Sequence, residues 1–321
     1  MFSACSAGPC SVDLGQIAFL VDSPGQPTRS CVATVQTGHV ECPEALAASF
    51  VGPASPDGSR LLTVTPGPSG DLLGTWSPGM TEVQFLAGPG SPLREPMWST
   101  DGENVVFRGE LAGRTGVWRV VSTGGPPWQA SRAPEGDFEP HMTADGHIVF
   151  ASSRDGNAEI YTVFGDGQPE RVTTHPADDL RPRWSADGQS LAWLSDVGEH
   201  RRVMVKLDDN AARMLDSGDA DQLEFSWSPR SDQIAVLEKE STHLTLRIRA
   251  LDGSEVSTLD FNADLVEPTW SPQGDHVAWT SRSATGSTIR WATADGRVSD
   301  VVIAMPDADA WLPRWLGTPV R

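Results

Sequence analysis

Lysine is almost missing from this 321-residue chain, with Lys206 and Lys239 the only two. Acidic side chains outnumber Lys and Arg by 43 to 24, for a formal net charge of −19. A field of that sign repels polyanions, which argues against a nucleic-acid role and against binding to anionic membrane surfaces. It leaves cations, basic protein surfaces and neutral ligands such as peptides or carbohydrate as partners. Apolar runs are short, and none approaches the roughly 20 residues of a transmembrane helix. No charged and then apolar leader precedes residue 15, so a full signal peptide is not expected. Met1-Phe2-Ser3-Ala4-Cys5 resembles the tail of a lipoprotein cleavage site that has lost its leader, which points to a lipoprotein or a trimmed ectodomain.

Catalytic signatures are also missing. There is no G-x-S-x-G nucleophile elbow, no H-E-x-x-H and no P-loop. The seven histidines are scattered without metal-ligand spacing. The four cysteines, Cys5, Cys10, Cys31 and Cys42, form no C-x-x-C pair, so neither a zinc knuckle nor a thioredoxin-type motif is indicated. Cys31 and Cys42 flank Val35-Gln36-Thr37-Gly38, which reads as a hairpin loop. A symmetric hairpin would place them opposite each other, about 4.5 to 5.5 Å apart at Cα and within disulfide range. Cys5 and Cys10 could form a second pair. An even cysteine count with one sensible pairing points to an oxidising compartment, periplasmic or extracellular.

What the chain does have is glycine, proline and a repeat. The 31 glycines and 25 prolines, with no long run of helix formers, predict many short strands joined by tight turns. One pattern recurs: Pro, any residue, Trp, Ser, any residue, Asp-Gly, then a short apolar strand. Its clearest copies begin at Pro96, Pro182 and Pro268, with weaker ones near Ala54, Pro140 and Phe225 and a degenerate first copy at Cys10. The equivalent turn positions are Asp13, Asp57, Asp101, Asp145, Asp187, Arg230 and Gln273. A period of about 43 residues is four short strands with their turns, which is one propeller blade. The apolar strand after each turn, such as Val105-Val106-Phe107 or Val277-Ala278-Trp279, suits a strand buried on both faces. Trp98, Trp184, Trp227 and Trp270 are expected to be core anchors between blades.

The expectation is therefore an all-β chain: one seven-bladed β-propeller of four-stranded antiparallel blades. It spans 12–321 after an N-terminal segment 1–11, with blades starting near 12, 53, 96, 140, 182, 225 and 268. Pro313-Arg314-Trp315-Leu316-Gly317 repeats the start of the motif and is expected to supply the innermost strand of blade one, closing the ring. Gly8 to Ser11 is the alternative for that slot. No oligomerisation element is evident, so a monomer is expected.

The Pro-x-Trp-Ser-x-Asp-Gly pattern, followed in one blade by Ser153-Arg154-Asp155-Gly156-Asn157-Ala158-Glu159-Ile160-Tyr161, resembles the TolB-type β-propeller repeat over nearly the whole chain. That family includes the propellers of prolyl-oligopeptidase-like and tricorn-like peptidases, and oligogalacturonate lyases use a similar architecture. The resemblance is to an isolated propeller: the chain has no room for the α/β domain that precedes the propeller of TolB, and it has one blade more.

Propeller topology puts two rows of polar residues on one face. Glu95, Glu139, Arg181, Glu224 and Glu267 precede the repeat proline near the channel mouth, with Asp137, Asp179 and Asp264 just upstream. Inter-strand loops add Asp22 to Arg29, Glu110 to Arg114, Arg154 and Asp155, Glu199 and His200, and Glu238 to His243. Converging carboxylates there could receive basic side chains of a protein or peptide partner, or a cation such as Ca²⁺. The leading expectation is an extracytoplasmic, non-catalytic binding propeller. The alternatives are a polysaccharide lyase or hydrolase with its active site at the channel mouth, and the sensor ectodomain of a larger membrane protein. No cofactor is otherwise expected.

Overall fold

A computed structural model describes residues 14–133, 136–208, 210–241, 243–261, 268–283, 286–297, 299–304 and 308–317. Seven four-stranded antiparallel sheets are arranged as the blades of a propeller, and a single turn of 3₁₀ helix, Glu44–Leu46, interrupts them. Each blade runs from an innermost strand at the central channel to an outer strand at the rim.

Asp-Gly turns set the repeat because the second turn residue needs a positive φ, as at Gly102 (+74°) and Gly188 (+71°). The motif serine completes each turn. Ser99 Oγ donates to Asp101 Oδ1 at 2.5 Å, and Ser185 Oγ donates to Asp187 Oδ1 at 2.5 Å. The two blades that lack this aspartate take one from the far side of the turn. Ser228 Oγ donates to Asp232 at 2.9 Å and Ser271 Oγ to Asp275 at 2.8 Å, so the copies with Arg230 and Gln273 keep the same turn.

Seven apolar clusters hold the ring, one at each junction between neighbouring blades. Val105 and Phe107 pack on Leu62 and Leu73 of the preceding blade, while Val106 between them packs on Met142, Ile148 and Phe150 of the next. Alternate side chains of one strand thus serve two junctions, which is why these strands read as unbroken apolar runs. Each fully buried side chain of this kind stabilises by about 1.5 to 3 kcal/mol.

Indole N–H groups stitch the junctions near the channel. Trp98 Nε1 donates to Pro53 O at 3.0 Å, Trp227 Nε1 to Arg183 O at 3.0 Å and Trp270 Nε1 to Ser226 O at 3.1 Å. Trp98 and Trp270 are buried anchors, whereas Trp184 and Trp227 are half-buried; all four border the channel cavities.

The ring closes on the C-terminal strand. Asp309–Leu316 pairs antiparallel with Gln16–Asp22, with Trp315 opposite Ile17, and becomes the innermost strand of blade one. Trp315 Nε1 donates to Leu14 O at 2.9 Å across this seam. Gly317 N then donates to Gly58 O at 2.9 Å, and a Cβ on Gly58 would lie 2.4 Å from Gly317 N, so only glycine fits there. Cys31 and Cys42 form a disulfide in the same blade. Their neighbours Val32 and Glu41 are paired across the hairpin, which places the cysteines face to face. Cys5 and Cys10 lie outside the described residues.

Innermost strands begin upstream of the repeat proline, at Arg94, Asp137, Asp179 and Asp221, because the residues before the proline are paired as well. Among the described residues, no helix is long and apolar enough to cross a membrane.

Candidate functional site

A β-bulge interrupts each of these innermost strands, with register shifts between Arg94 and Met97, Phe138 and His141, Leu180 and Arg183, and Gln222 and Glu224. The residue before the proline sits in the bulge with a positive φ: Glu95 at +53°, Glu139 at +54° and Arg181 at +54°. This is a costly conformation for a residue preceding proline, of order 1 to 3 kcal/mol. A bulge also removes the N–H from the sheet ladder and re-aims the side chain. Both consequences are used here. The Glu139 N–H donates to Glu95 Oε2 at 2.6 Å, and the Arg181 N–H donates to Glu139 Oε2 at 2.7 Å. Glu95 and Glu139 therefore each satisfy the stranded amide of the next blade.

Arg181 carries no acceptor and continues the row by charge. Its guanidinium lies 3.5 Å from Glu139 Oε1 and pairs with Glu224 Oε1. Arg108 stands 3.9 Å from Glu95 Oε1. The side chains of Glu95, Glu139, Arg181 and Glu224 are between 18% and 35% exposed, so the row is fixed in place yet reachable at the mouth.

The other sequence candidates divide by burial. Asp137 is buried and accepts from Arg154 Nη2 at 2.8 Å and from Ser131 Oγ at 2.5 Å. Arg154 also stacks over Tyr161, 4.6 Å from its ring centre. Asp155 receives the Tyr161 hydroxyl and lies 3.6 Å from Arg171. Burial, with the adjacent Asp155 carboxylate, pushes the Tyr161 phenol up to about 12. Asp179 is buried, and desolvation raises its pKa above the usual carboxylate value. Glu238 is buried between Arg247 at 2.7 Å and Arg249 at 2.8 Å. Asp137, Asp179 and Glu238 are thus out of reach of a docking partner, whereas the Asp155 side chain is 49% exposed. His200 Nδ1 lies 3.1 Å from Asp221 Oδ1 at the loop margin. Asp264 and Glu267 fall outside the described residues. Among the described residues, no three His, Cys, Asp or Glu side chains converge as a metal cage.

The channel behind the mouth is lined by the motif's variable position: Pro53, Met97, His141, Arg183, Thr269 and Arg314. His141 is 9% exposed, and its Nδ1 accepts the Trp184 backbone N–H at 3.0 Å. Burial, and then the neighbouring Arg183 charge, depress its pKa to about 3. The imidazole is therefore neutral, with its proton on Nε2. Reading the variable position down the repeat would have found this lining, which attention to the residues before the proline missed.

Comparison with known proteins agrees with this architecture. Fifty-two residues are 44% identical to the Tol-Pal system protein TolB of Desulfosudis oleivorans, covering 16% of this chain and 12% of that protein. The match thus spans a small part of that relative's length. TolB from Acinetobacter baumannii superposes with a TM-score of 0.54 at 16% identity, covering 93% of this chain and 67% of that one. A prolyl endopeptidase superposes with a TM-score of 0.67 at 14% identity, covering 91% of this chain and 48% of that one. At such identities these two likenesses speak for the fold alone. A family model described as the TolB beta propeller domain matches residues 137–317, more than half of the sequence, and the chain belongs to that family.

Proposed function

We propose that this propeller is a non-catalytic, extracytoplasmic binding module that takes a protein or peptide segment of basic character at the mouth formed by Glu95, Glu139, Arg181 and Glu224. The observation that carries this reading is the hydrogen-bonded bulge row. It spends backbone strain to hold carboxylates partly exposed at one end of the channel. Preorganised charge of this kind costs little ordering entropy when a partner docks. The net charge of −19 would steer a basic partner towards the protein. The Cys31–Cys42 disulfide favours an oxidising compartment. Membership of the TolB family, one of whose relatives is named for the Tol-Pal system, is in keeping with a protein partner.

Panning a library of short random peptides against the full chain tests this. The expected result is enrichment of Lys- and Arg-rich peptides whose binding weakens as salt rises. Recovery of only neutral or acidic sequences would overturn it.

A further inference from the structure

Innermost strands enter at the acidic mouth and leave at the Asp-Gly turns, so the turns mark the opposite face of the ring. That face carries a large bare aromatic ring. Phe164 ends the strand Glu159–Phe164 in blade four and is 57% exposed. It stands across the sheet from His147, and the two rings stack with centroids 4.5 Å apart and planes 29° from parallel. The stack orients the phenyl ring yet leaves much of it in water, a platform already in place for a ligand. A cavity opens on each side of blade four at this end. One, of about 360 Å³ between blades four and five, has His147 in its wall and Val149, Leu191 and Trp184 as its apolar lining. The other, of about 270 Å³ between blades three and four, is lined by Trp128, Val121 and the Gly165-Asp166 turn that follows Phe164. These volumes sit at the lower end of small-molecule sites, which run from about 300 to 1,000 Å³.

We propose that this surface binds a neutral oligosaccharide, with one sugar ring stacked on Phe164 and its neighbours entering the cavities on either side of blade four. The polar groups of the larger cavity carry both signs. Lys206, one of only two lysines, lines it, and its ammonium makes no ion pair among the described residues. Asp208 lines it too, and its carboxylate is likewise without an ion pair among the described residues. Asp145 completes the rim, its Oδ2 lying 3.2 Å from His147 Nδ1. An anion entering here would face two aspartates, and a cation would face the lysine. A hydroxyl both donates and accepts, so a neutral polyhydroxylated ligand satisfies ammonium and carboxylate together. A sugar ring has C–H groups on its faces and hydroxyls around its edge. Its faces suit the Phe164 platform and the indoles of Trp128 and Trp184, and its edge suits Lys206 and Asp208. Two cavities flanking one platform suit a chain of sugars rather than a single ring.

Isothermal titration of the full chain with cellohexaose, maltohexaose, chitohexaose and hexagalacturonate tests the site. At least one neutral hexamer should bind with a Kd below about 1 mM. Hexagalacturonate should bind at least about tenfold more weakly than that hexamer, because Asp145, Asp208 and the net charge of −19 oppose it. Phe164→Ala and Lys206→Ala should each weaken binding of the neutral hexamer by about fivefold or more at an unchanged melting midpoint. The proposal is overturned if no neutral hexamer binds, if hexagalacturonate binds as tightly, or if either folded variant binds undiminished. The comparison of neutral with acidic hexamers on the unaltered protein decides the matter even where a variant fails to fold.

Discussion

The carboxylate of Glu95 accepts the backbone N–H of Glu139 at 2.6 Å, joining the bulges of two neighbouring blades. This bond explains how a strained pre-proline conformation persists at +54°. Glu95→Gln keeps an acceptor oxygen and should leave stability within about 1 kcal/mol. Glu95→Ala strands the Glu139 amide and should cost about 1 to 3 kcal/mol. Urea unfolding of the two variants, followed by tryptophan fluorescence, checks the difference.

His141 predicts a specific pH dependence. Its folded pKa lies near 3, below the ordinary 6.5, so between those values the unfolded chain binds a proton that the folded one refuses. Stability should therefore fall as pH drops from 6.5 towards 3, by up to about 1.4 kcal/mol per pH unit from this group. His141→Gln should flatten that slope. Denaturation midpoints of both proteins at several pH values above the carboxylate range isolate the histidine.

The disulfide closes a short loop, since Cys31 and Cys42 are 11 residues apart. Cys31→Ser with Cys42→Ser should cost about 3 kcal/mol on the chain-entropy account. A non-reducing thermal melt of the double variant measures it, and reductant should lower the midpoint of the wild type only.

Trp227→Phe removes the indole N–H that bonds Arg183 O while keeping most of the ring packing. The expected cost is about 1 to 3 kcal/mol, as for an acceptor left without its donor. Trp184→Phe should cost less, because the Trp184 indole N–H has no partner to lose. Paired urea titrations rank the two.

The architecture was legible because it is written in local chemistry. Asp-Gly turns at an even period, apolar runs after them and a Trp before them each have one structural use, and the motif fragment at Trp315 identified the closing strand. Blades six and seven lack the turn aspartate, at Arg230 and Gln273, because Asp232 and Asp275 approach the turn serine from its other side. The site was less legible. That Asp137 and Glu238 are buried depends on Arg154 arriving from a turn and on Arg247 and Arg249 arriving from a neighbouring strand. Positive φ at Glu95, Glu139 and Arg181 could not be read from residues that rarely adopt it before proline. The bulges that impose it arise from pairing across the sheet.

The most direct test of the mouth as a binding surface is the affinity of a selected basic peptide for wild type and for a Glu95→Gln, Glu139→Gln, Glu224→Gln triple variant, measured at low and high salt. The substitutions keep hydrogen-bond acceptors in the row and remove its negative charge. Binding should fall by about tenfold or more in the variant, together with most of its salt dependence. Equal affinity in a folded variant would contradict the account.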